Sequence, residues 1–240
     1  MNILVNGAAG TMGRVLCQKI QAHPEHTLTA ACSRRQGFPD LSSVTAPADV
    51  LIDFSHHEAT EELTRYAAKR HIPLVTGTTG RTPEEEALLD ACAARIPVFS
   101  AANFSLGVAL LCQLSKAVLN VFPDAEVEIV ECHHHQKADV PSGTALLCAK
   151  TIQEQRPGSK LVIGRQENGL RTPLEIGIHS LRCGLEPGTH TLLFSCGAET
   201  LELKHSAVDR SLFADGALAA AAFLLGKPAG HYGMRDLMEV

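Results

Sequence analysis

The chain has 240 residues, 45% hydrophobic content, a formal net charge of -5 and a sequence pI of about 6.2. That is enough apolar material for one large domain or two small ones. The charge excludes a broadly basic nucleic-acid surface, and with no Trp and two Tyr there is little to stack on bases; no segment approaches the roughly 20 apolar residues needed to span a bilayer.

The opening stretch MNILVNGAAG has no basic leader region followed by a long apolar run, so no signal peptide is expected. The eight cysteines form no C-x-x-C pair and read as reduced thiols in a cytoplasm, with Cys17, Cys112 and Cys148 as small core residues on helices. The apolar run over residues 3–6 ends at glycines and predicts a strand. Over 11–22, Met12, Val15, Leu16 and Ile20 recur at helical spacing. Residues 27–33 and 50–55 read as buried strands, 58–70 as a helix and 72–77 as a strand. Thr82-Pro83 then opens a helix whose three glutamates complement its N-terminus, and 96–101 returns to strand. Strands alternating with helices across short loops predict a parallel sheet covered on both faces.

After Asn103 the pattern changes. A long apolar helix over 105–122 stops at Pro123. Strands are expected over 126–131, 175–185, 190–196 and 200–205, the last two as a hairpin around Gly197. A capped helix starting at Ser142 and an Ala-rich helix over 212–225 complete the set. The fold class is therefore α/β: an N-terminal Rossmann-like dinucleotide-binding domain plus a C-terminal α+β domain with an open mixed sheet.

Two motifs carry chemistry. GAAGTMG, residues 7–13, joins the first strand to the first helix, where glycines permit a tight turn and close approach to a pyrophosphate at the helix N-terminus. The spacing is G-x-x-G-x-x-G, and a tight turn with no ligand is the alternative. At the end of the second strand, Ser33, Arg34 and Arg35 stand where an NAD-selective site usually carries an acid; guanidinium groups there suit a 2′-phosphate, so NADPH is expected to serve at least as well as NADH. Two solvated arginines are the bland reading of the same residues.

The second motif is ECHHHQKADVPSGTAL, residues 131–146. A strand delivers the histidines, and continued alternation would put His133 and His135 on one side and His134 on the other. Ser142 reads as an N-cap with Gly143 and Thr144 in the first turn. A metal site, a satisfied polar cluster, and a proton donor beside an anion clamp are all compatible with these residue types. No third ligand accompanies the histidines at a characteristic metal spacing, and histidine titrates near neutral pH beside a lysine suited to an anion.

These segments, together with DFSHHEAT at 53–60, GTTG at 77–80, AANFSLGV at 101–108, GTHTLLF at 188–194, HSAVDRSLFADGAL at 205–218 and MRDL at 234–237, resemble the 4-hydroxy-tetrahydrodipicolinate reductase family of lysine and diaminopimelate biosynthesis. The resemblance runs nearly the whole length, and its histidine–PSGTA block is highly specific. It implies NAD(P)H-dependent reduction of a cyclic dicarboxylate carrying a conjugated imine, with NADPH and/or NADH as cofactor. Gly7, Ala8, Ala9, Gly10, Thr11 and Met12 would cradle the pyrophosphate, with Ser33 and Arg34 at the adenosine ribose. Gly77, Thr78 and Thr79 with Ala101, Ala102, Asn103 and Phe104 would line the nicotinamide side. His133 would be the proton donor and Lys137 the catalytic lysine. His134, Lys137, Ser142, Gly143 and Thr144 would bind the substrate carboxylates, with no metal. The composition shift near Asn103 sets the expected division into a dinucleotide-binding domain at 1–104, to which 208–240 returns, and a substrate-binding and oligomerisation domain at 105–207, with hinges near Asn103-Phe104 and Val208; the resemblance implies a homotetramer. Another dinucleotide-dependent dehydrogenase on this fold, or a nucleotide-sensing protein without turnover, would explain the glycine turn but not the PSGTA block.

Overall fold

A computed structural model of the protein describes residues 1–238 and divides into two compact bodies: Met1–Leu106 with the segment from Arg210 onward, and Gly107–Asp209. In the first body, β1 (Asn2–Asn6), α1 (Thr11–Ala22), β2 (Thr27–Cys32), β3 (Val50–Asp53), α2 (Thr60–Arg70), β4 (Leu74–Thr76), α3 (Pro83–Ala93) and β5 (Pro97–Ser100) follow one another. The second body holds α4 (Leu106–Val121, whose first residue belongs to the first body), β6 (Glu126–His133), α5 (Gly143–Gln155), β7 (Lys160–Ile163), β8 (Glu175–Arg182), β9 (Thr189–Ser195) and β10 (Thr200–Ser206). The chain then supplies α6 (Ser211–Leu224), β11 (Gly230–Tyr232) and α7 (Met234–Met238) to the first body.

The first sheet runs β11-β5-β4-β3-β1-β2, with every pairing parallel. Strand alternation sorts its residues into two cores. Ile3, Val5, Val50, Ile52, Val75 and Phe99 join one cluster with Leu16 and Ile20 of α1 and the alanines of α6. Leu4, Leu51, Leu74 and Val98 join another with Leu63 and Ala67 of α2 and Leu89 of α3. Each fully buried Leu, Ile or Phe contributes roughly 1.5–3 kcal/mol over an exposed one. α3 starts as its sequence requires: Thr82 Oγ1 accepts the Glu85 N–H at 3.3 Å, and Glu85 returns a carboxylate to the Thr82 N–H at 2.8 Å.

The second sheet runs β10-β9-β6-β8-β7; β10, β9 and β6 pair antiparallel, and β6, β8 and β7 parallel. One face, carrying Val127, Ile129, Ile176, Ile178, Leu192 and Phe194, packs on Leu111 and Leu119 of α4 and on Ala145, Cys148, Ala149 and Ile152 of α5. The expected hairpin pairs Ser195 with Thr200, and Gly197 takes a positive φ of 80° in its turn.

Three expectations need correction. β6 ends at His133, and Lys137 N–H closes a turn on the His134 carbonyl at 3.1 Å, so strand alternation does not carry on to His135. β8 stops at Arg182 rather than 185, because Cys183 N–H donates to the His133 carbonyl and Gly184 turns the chain with φ 57°. β7, β11 and α7 were not anticipated; the two strands are short and exist through pairing with β8 and β5.

Candidate functional site

The glycine turn is built as the sequence expects. Gly7 has φ 79°, and a Cβ there would lie 2.4 Å from the Phe54 carbonyl oxygen; a Cβ at Gly13 would lie 2.2 Å from the Gly7 oxygen. The loop can therefore lie flat on the end of β3 while α1 packs on the loop. Gly10 is the N-cap of α1 and offers no side chain to its first turn, which leaves that turn available to an anion.

A groove of about 310 Å³ opens there, lined among others by Gly7, Gly10, Ser33, Arg34, Arg35 and Ser55. Ser33 is buried and its Oγ accepts the Arg35 N–H at 3.2 Å. The Arg34 guanidinium is held loosely, 3.5 Å from Glu62 and from the Glu58 carbonyl, with its side chain 58% exposed. This body thus joins a helix start, a hydroxyl and an exposed cation along one groove, which fits a phosphorylated dinucleotide.

Gly77 and Thr78 follow β4, and Ala101 follows β5, so the backbone of these segments meets at the C-terminal ends of adjacent strands; Ala101 N–H donates to the Thr76 carbonyl at 3.2 Å. Thr79 continues the loop after Thr78. The Phe104 side chain is 2% exposed and sits in the core against Phe54 and Phe99, so only its backbone can contribute to a ligand surface. Asn103 Oδ1 accepts the Ser105 N–H at 2.8 Å and shapes the turn. Beneath lies a group that sequence reading missed. The wholly buried Asp53 carboxylate accepts from Asn6 Nδ2, Thr76 Oγ1 and Thr78 Oγ1 at 2.8, 2.9 and 2.8 Å. It ties β1, β3 and the Thr78 loop together.

In the second body, strand parity makes the site. Val127 and Ile129 face α5, so Glu131 and His133, two and four residues on, lie on the same side and arrive at the start of that helix. The parallel register sets His133 beside Arg182, and the antiparallel register sets Glu131 beside His190. Glu131 is fully buried. Arg182 grips it with two nitrogens, each at 2.9 Å, and the Ser142 N–H donates to Oε1 at 3.2 Å. Burial would push this carboxyl up, but the neighbouring donors, led by Arg182 and including Ser180 and His133, outweigh it and hold it at about 2. An ionised carboxylate can only accept, so His133 Nδ1, 2.5 Å from Oε2, carries the proton.

The other ring nitrogen, Nε2, lies over Gly188, where a Cβ would come within 2.8 Å of it. Burial lowers the His133 pKa, and the cations Lys137 and Arg182 push the same way against Glu131. His190 stands edge-on to His133 with ring centroids 5.1 Å apart, and its Nε2 is 2.9 Å from Ser142 Oγ. Burial and the neighbouring His133 lower its pKa to about 4.

Ser142 caps α5: its Oγ accepts the Ala145 N–H at 3.1 Å, and Gly143 and Thr144 follow in the first turn. Lys137 Nζ meets the Asp139 carboxylate at 2.7 Å. His134 donates its backbone N–H to the Glu186 carbonyl at 2.7 Å. His135, in the turn, contacts the Gly184 carbonyl through Nδ1 at 2.8 Å. The charges of Glu131, Arg182, Lys137 and Asp139 sum to zero, so protonating His133 makes the cluster net positive, the state that suits an anionic ligand. Among the described residues, no group of three or more His, Cys, Asp or Glu side chains is placed to hold a metal ion, and no helix is long and apolar enough to cross a membrane.

Comparison with known proteins bears on the family and the fold. Residues 1–104 match the family model described as dihydrodipicolinate reductase, N-terminus, and residues 107–238 match that described as dihydrodipicolinate reductase, C-terminus. A 4-hydroxy-tetrahydrodipicolinate reductase of Caldanaerobacter subterraneus subsp. tengcongensis is 40% identical over 100% of this chain and 98% of its own. One from Rickettsia rickettsii is 38% identical over the whole of both chains. The dipicolinate-bound dihydrodipicolinate reductase from Paenisporosarcina sp. TG-14 superposes with a TM-score of 0.85, at 25% identity over 98% of each chain. An amine dehydrogenase from Mycobacterium smegmatis, at 11% identity and TM-score 0.65 over 96% of this chain and 94% of its own, shares the fold.

Proposed function

The chain belongs to the dihydrodipicolinate reductase family, and on that premise we propose that it reduces 4-hydroxy-tetrahydrodipicolinate to tetrahydrodipicolinate at the expense of NADPH or NADH, with His133 as proton donor. The observation that carries the residue assignment is the meeting of His133, Arg182 and the Ser142-capped helix start around one buried carboxylate, Glu131, with the Lys137 ammonium close enough to His133 to act on its charge.

Bound reduced nicotinamide supplies a hydride, and the ring that accepts it gains electron density along its conjugated imine. Gly7 to Met12 would hold the cofactor's pyrophosphate at the start of α1, and Ser33 and Arg34 would meet the adenosine ribose and its phosphate. Gly77, Thr78, Thr79 and Ala101 to Phe104 form the nicotinamide side. One substrate carboxylate lies on the N–H groups of Gly143 and Thr144 with Ser142, and the other meets His134 and Lys137. Lys137 must then share its ammonium between Asp139 and the substrate. With Nδ1–H engaged by Glu131, a protonated His133 donates from Nε2, the nitrogen over Gly188. Such general-acid help is typically worth about 10²–10⁴-fold. The reaction belongs to lysine and diaminopimelate biosynthesis, and a homotetramer built through the second sheet is the assembly proposed with it.

The test follows absorbance at 340 nm after adding freshly made 4-hydroxy-tetrahydrodipicolinate. Substrate-dependent loss of NADPH or NADH is expected, and it should fall at least tenfold in His133→Ala with cofactor affinity intact. Cofactor binding without turnover would instead indicate a nucleotide-sensing protein. Turnover of an amino acid in place of the cyclic imine would indicate a dehydrogenase of the wider fold.

A further inference from the structure

Glu131 is an unusual residue to find wholly buried on a strand whose preceding inward positions are Val127 and Ile129. A buried carboxylate is tolerated only when its charge is matched and its lone pairs are used. Here both oxygens are used, and each in two directions. Oε2 accepts from His133 Nδ1 and from one Arg182 nitrogen; Oε1 accepts from the other Arg182 nitrogen and from the Ser142 backbone. Two strands, β6 and β8, and the start of α5 therefore converge on one side chain.

Resting on the proton-donor reading above, the geometry points to Glu131, clamped by Arg182, as a positioning residue that fixes the tautomer of His133, supports its protonated form, and locks the anion-binding start of α5 to the same carboxylate. Without it the ring loses the acceptor that keeps the proton on Nδ1, and Nε2 no longer has a defined role. The same loss leaves Arg182 as an unmatched cation one strand away from His133, which opposes protonation of the ring. The charged and titratable groups around His133 come from several elements: Glu131 on its own strand, Arg182 on β8, His190 on β9, and Lys137, itself paired with Asp139, from the following loop. Of these, only Glu131 touches a ring nitrogen of His133, so its effect on the ring should exceed that of Asp139, which is spent on Lys137.

The experiment compares wild type, Glu131→Gln and His133→Asn across about pH 5.5–9, which spans the ordinary histidine range, with dipicolinate and NADPH affinities measured alongside. If a protonated His133 is needed, kcat/KM falls as pH rises through its pKa. Glu131→Gln should move that falling limb acidward by roughly one pH unit, lose at least tenfold at pH 8, and regain most of the loss on acidification, with the NADPH Kd within about twofold. A simple packing defect would not be rescued by protons. A second arm uses the wild type alone. Long-range ¹H–¹⁵N spectra, assigned by the signals missing in His133→Asn, should show neutral His133 protonated on Nδ1. An Nε2–H tautomer, or an unshifted limb in Glu131→Gln while His133→Asn is crippled, overturns the positioning role and leaves the proton-donor reading standing. Near-normal turnover in His133→Asn overturns both.

Discussion

Gly188 and His133 are in closer register than any residue with a side chain would permit. The φ of Gly188 is 154°, and a Cβ built on it falls 2.8 Å from His133 Nε2 and 3.1 Å from Cδ2. The glycine is therefore the floor under the nitrogen assigned to proton transfer. Gly188→Ala should tilt the ring off Glu131 and reduce kcat by about tenfold or more, since small misplacements of a reacting group are expensive. NADPH affinity, set in the other body, should not change. Equal loss of cofactor binding and turnover would show that the substitution unfolds the domain rather than moving the ring.

Arg34 offers a sharper separation of cofactors. Among the described residues its guanidinium has only distant partners, Glu62 and the Glu58 carbonyl at 3.5 Å, so it can turn toward a phosphate at the mouth of the groove. Arg34→Ala should raise the NADPH KM roughly tenfold, the equivalent of one charge-assisted contact, and change that for NADH by no more than about twofold. Parallel losses for both cofactors would remove the 2′-phosphate assignment.

Gly13 tests the turn without touching charge. A methyl group there would meet the Gly7 oxygen at 2.2 Å and the Ala8 Cα at 2.7 Å, both backbone, so neither can swing aside as a side chain would. Gly13→Ala should cost about 1–3 kcal/mol of stability and weaken NADPH and NADH together. An unchanged melting temperature with full cofactor affinity would mean that α1 can slide away from the loop, against the packing described.

How much of this was legible in the sequence depends on how local each cause is. The first sheet was readable because Ile3 to Val5, Val50 to Ile52 and Leu74-Val75 are buried on both faces, and each strand leads to a helix with its own periodicity or cap. β11 was not, because Gly230–Tyr232 becomes a strand only through pairing with β5. The histidine motif was readable by residue type and its orientation only in part. His133 keeps the parity of Val127 and Ile129, but the chain leaves the strand immediately afterwards, and nothing local announces that turn. Glu131 shows the same limit. Its parity with His133 was visible, yet its role depends on Arg182, fifty-one residues away, and on the Ser142 backbone. Asp53 closes a strand in DFSHH, and its three donors are likewise distant in sequence.

The buried histidines predict how stability varies with acidity. His190 is 3% exposed, and its pKa is lowered to about 4 by burial and by the neighbouring His133; burial also lowers His133 and His205. A histidine depressed in the folded state stays neutral while the unfolded chain, with an ordinary value near 6.5, takes up a proton. The unfolded state then binds more protons, so stability is fully present above about pH 6.5 and declines as pH falls toward 4, by at most about 1.4 kcal/mol per pH unit per such group. Glu131, held at about 2, adds a loss of the same sign only below the ordinary carboxylate range. Urea midpoints should therefore drop between pH 7 and 5, and His190→Gln, which cannot titrate, should flatten that slope while removing the contact with Ser142 Oγ at every pH. A slope as steep in His190→Gln as in the wild type would place the proton uptake on other groups. Stability that rose on acidification would mean that the ring is charged in the folded protein.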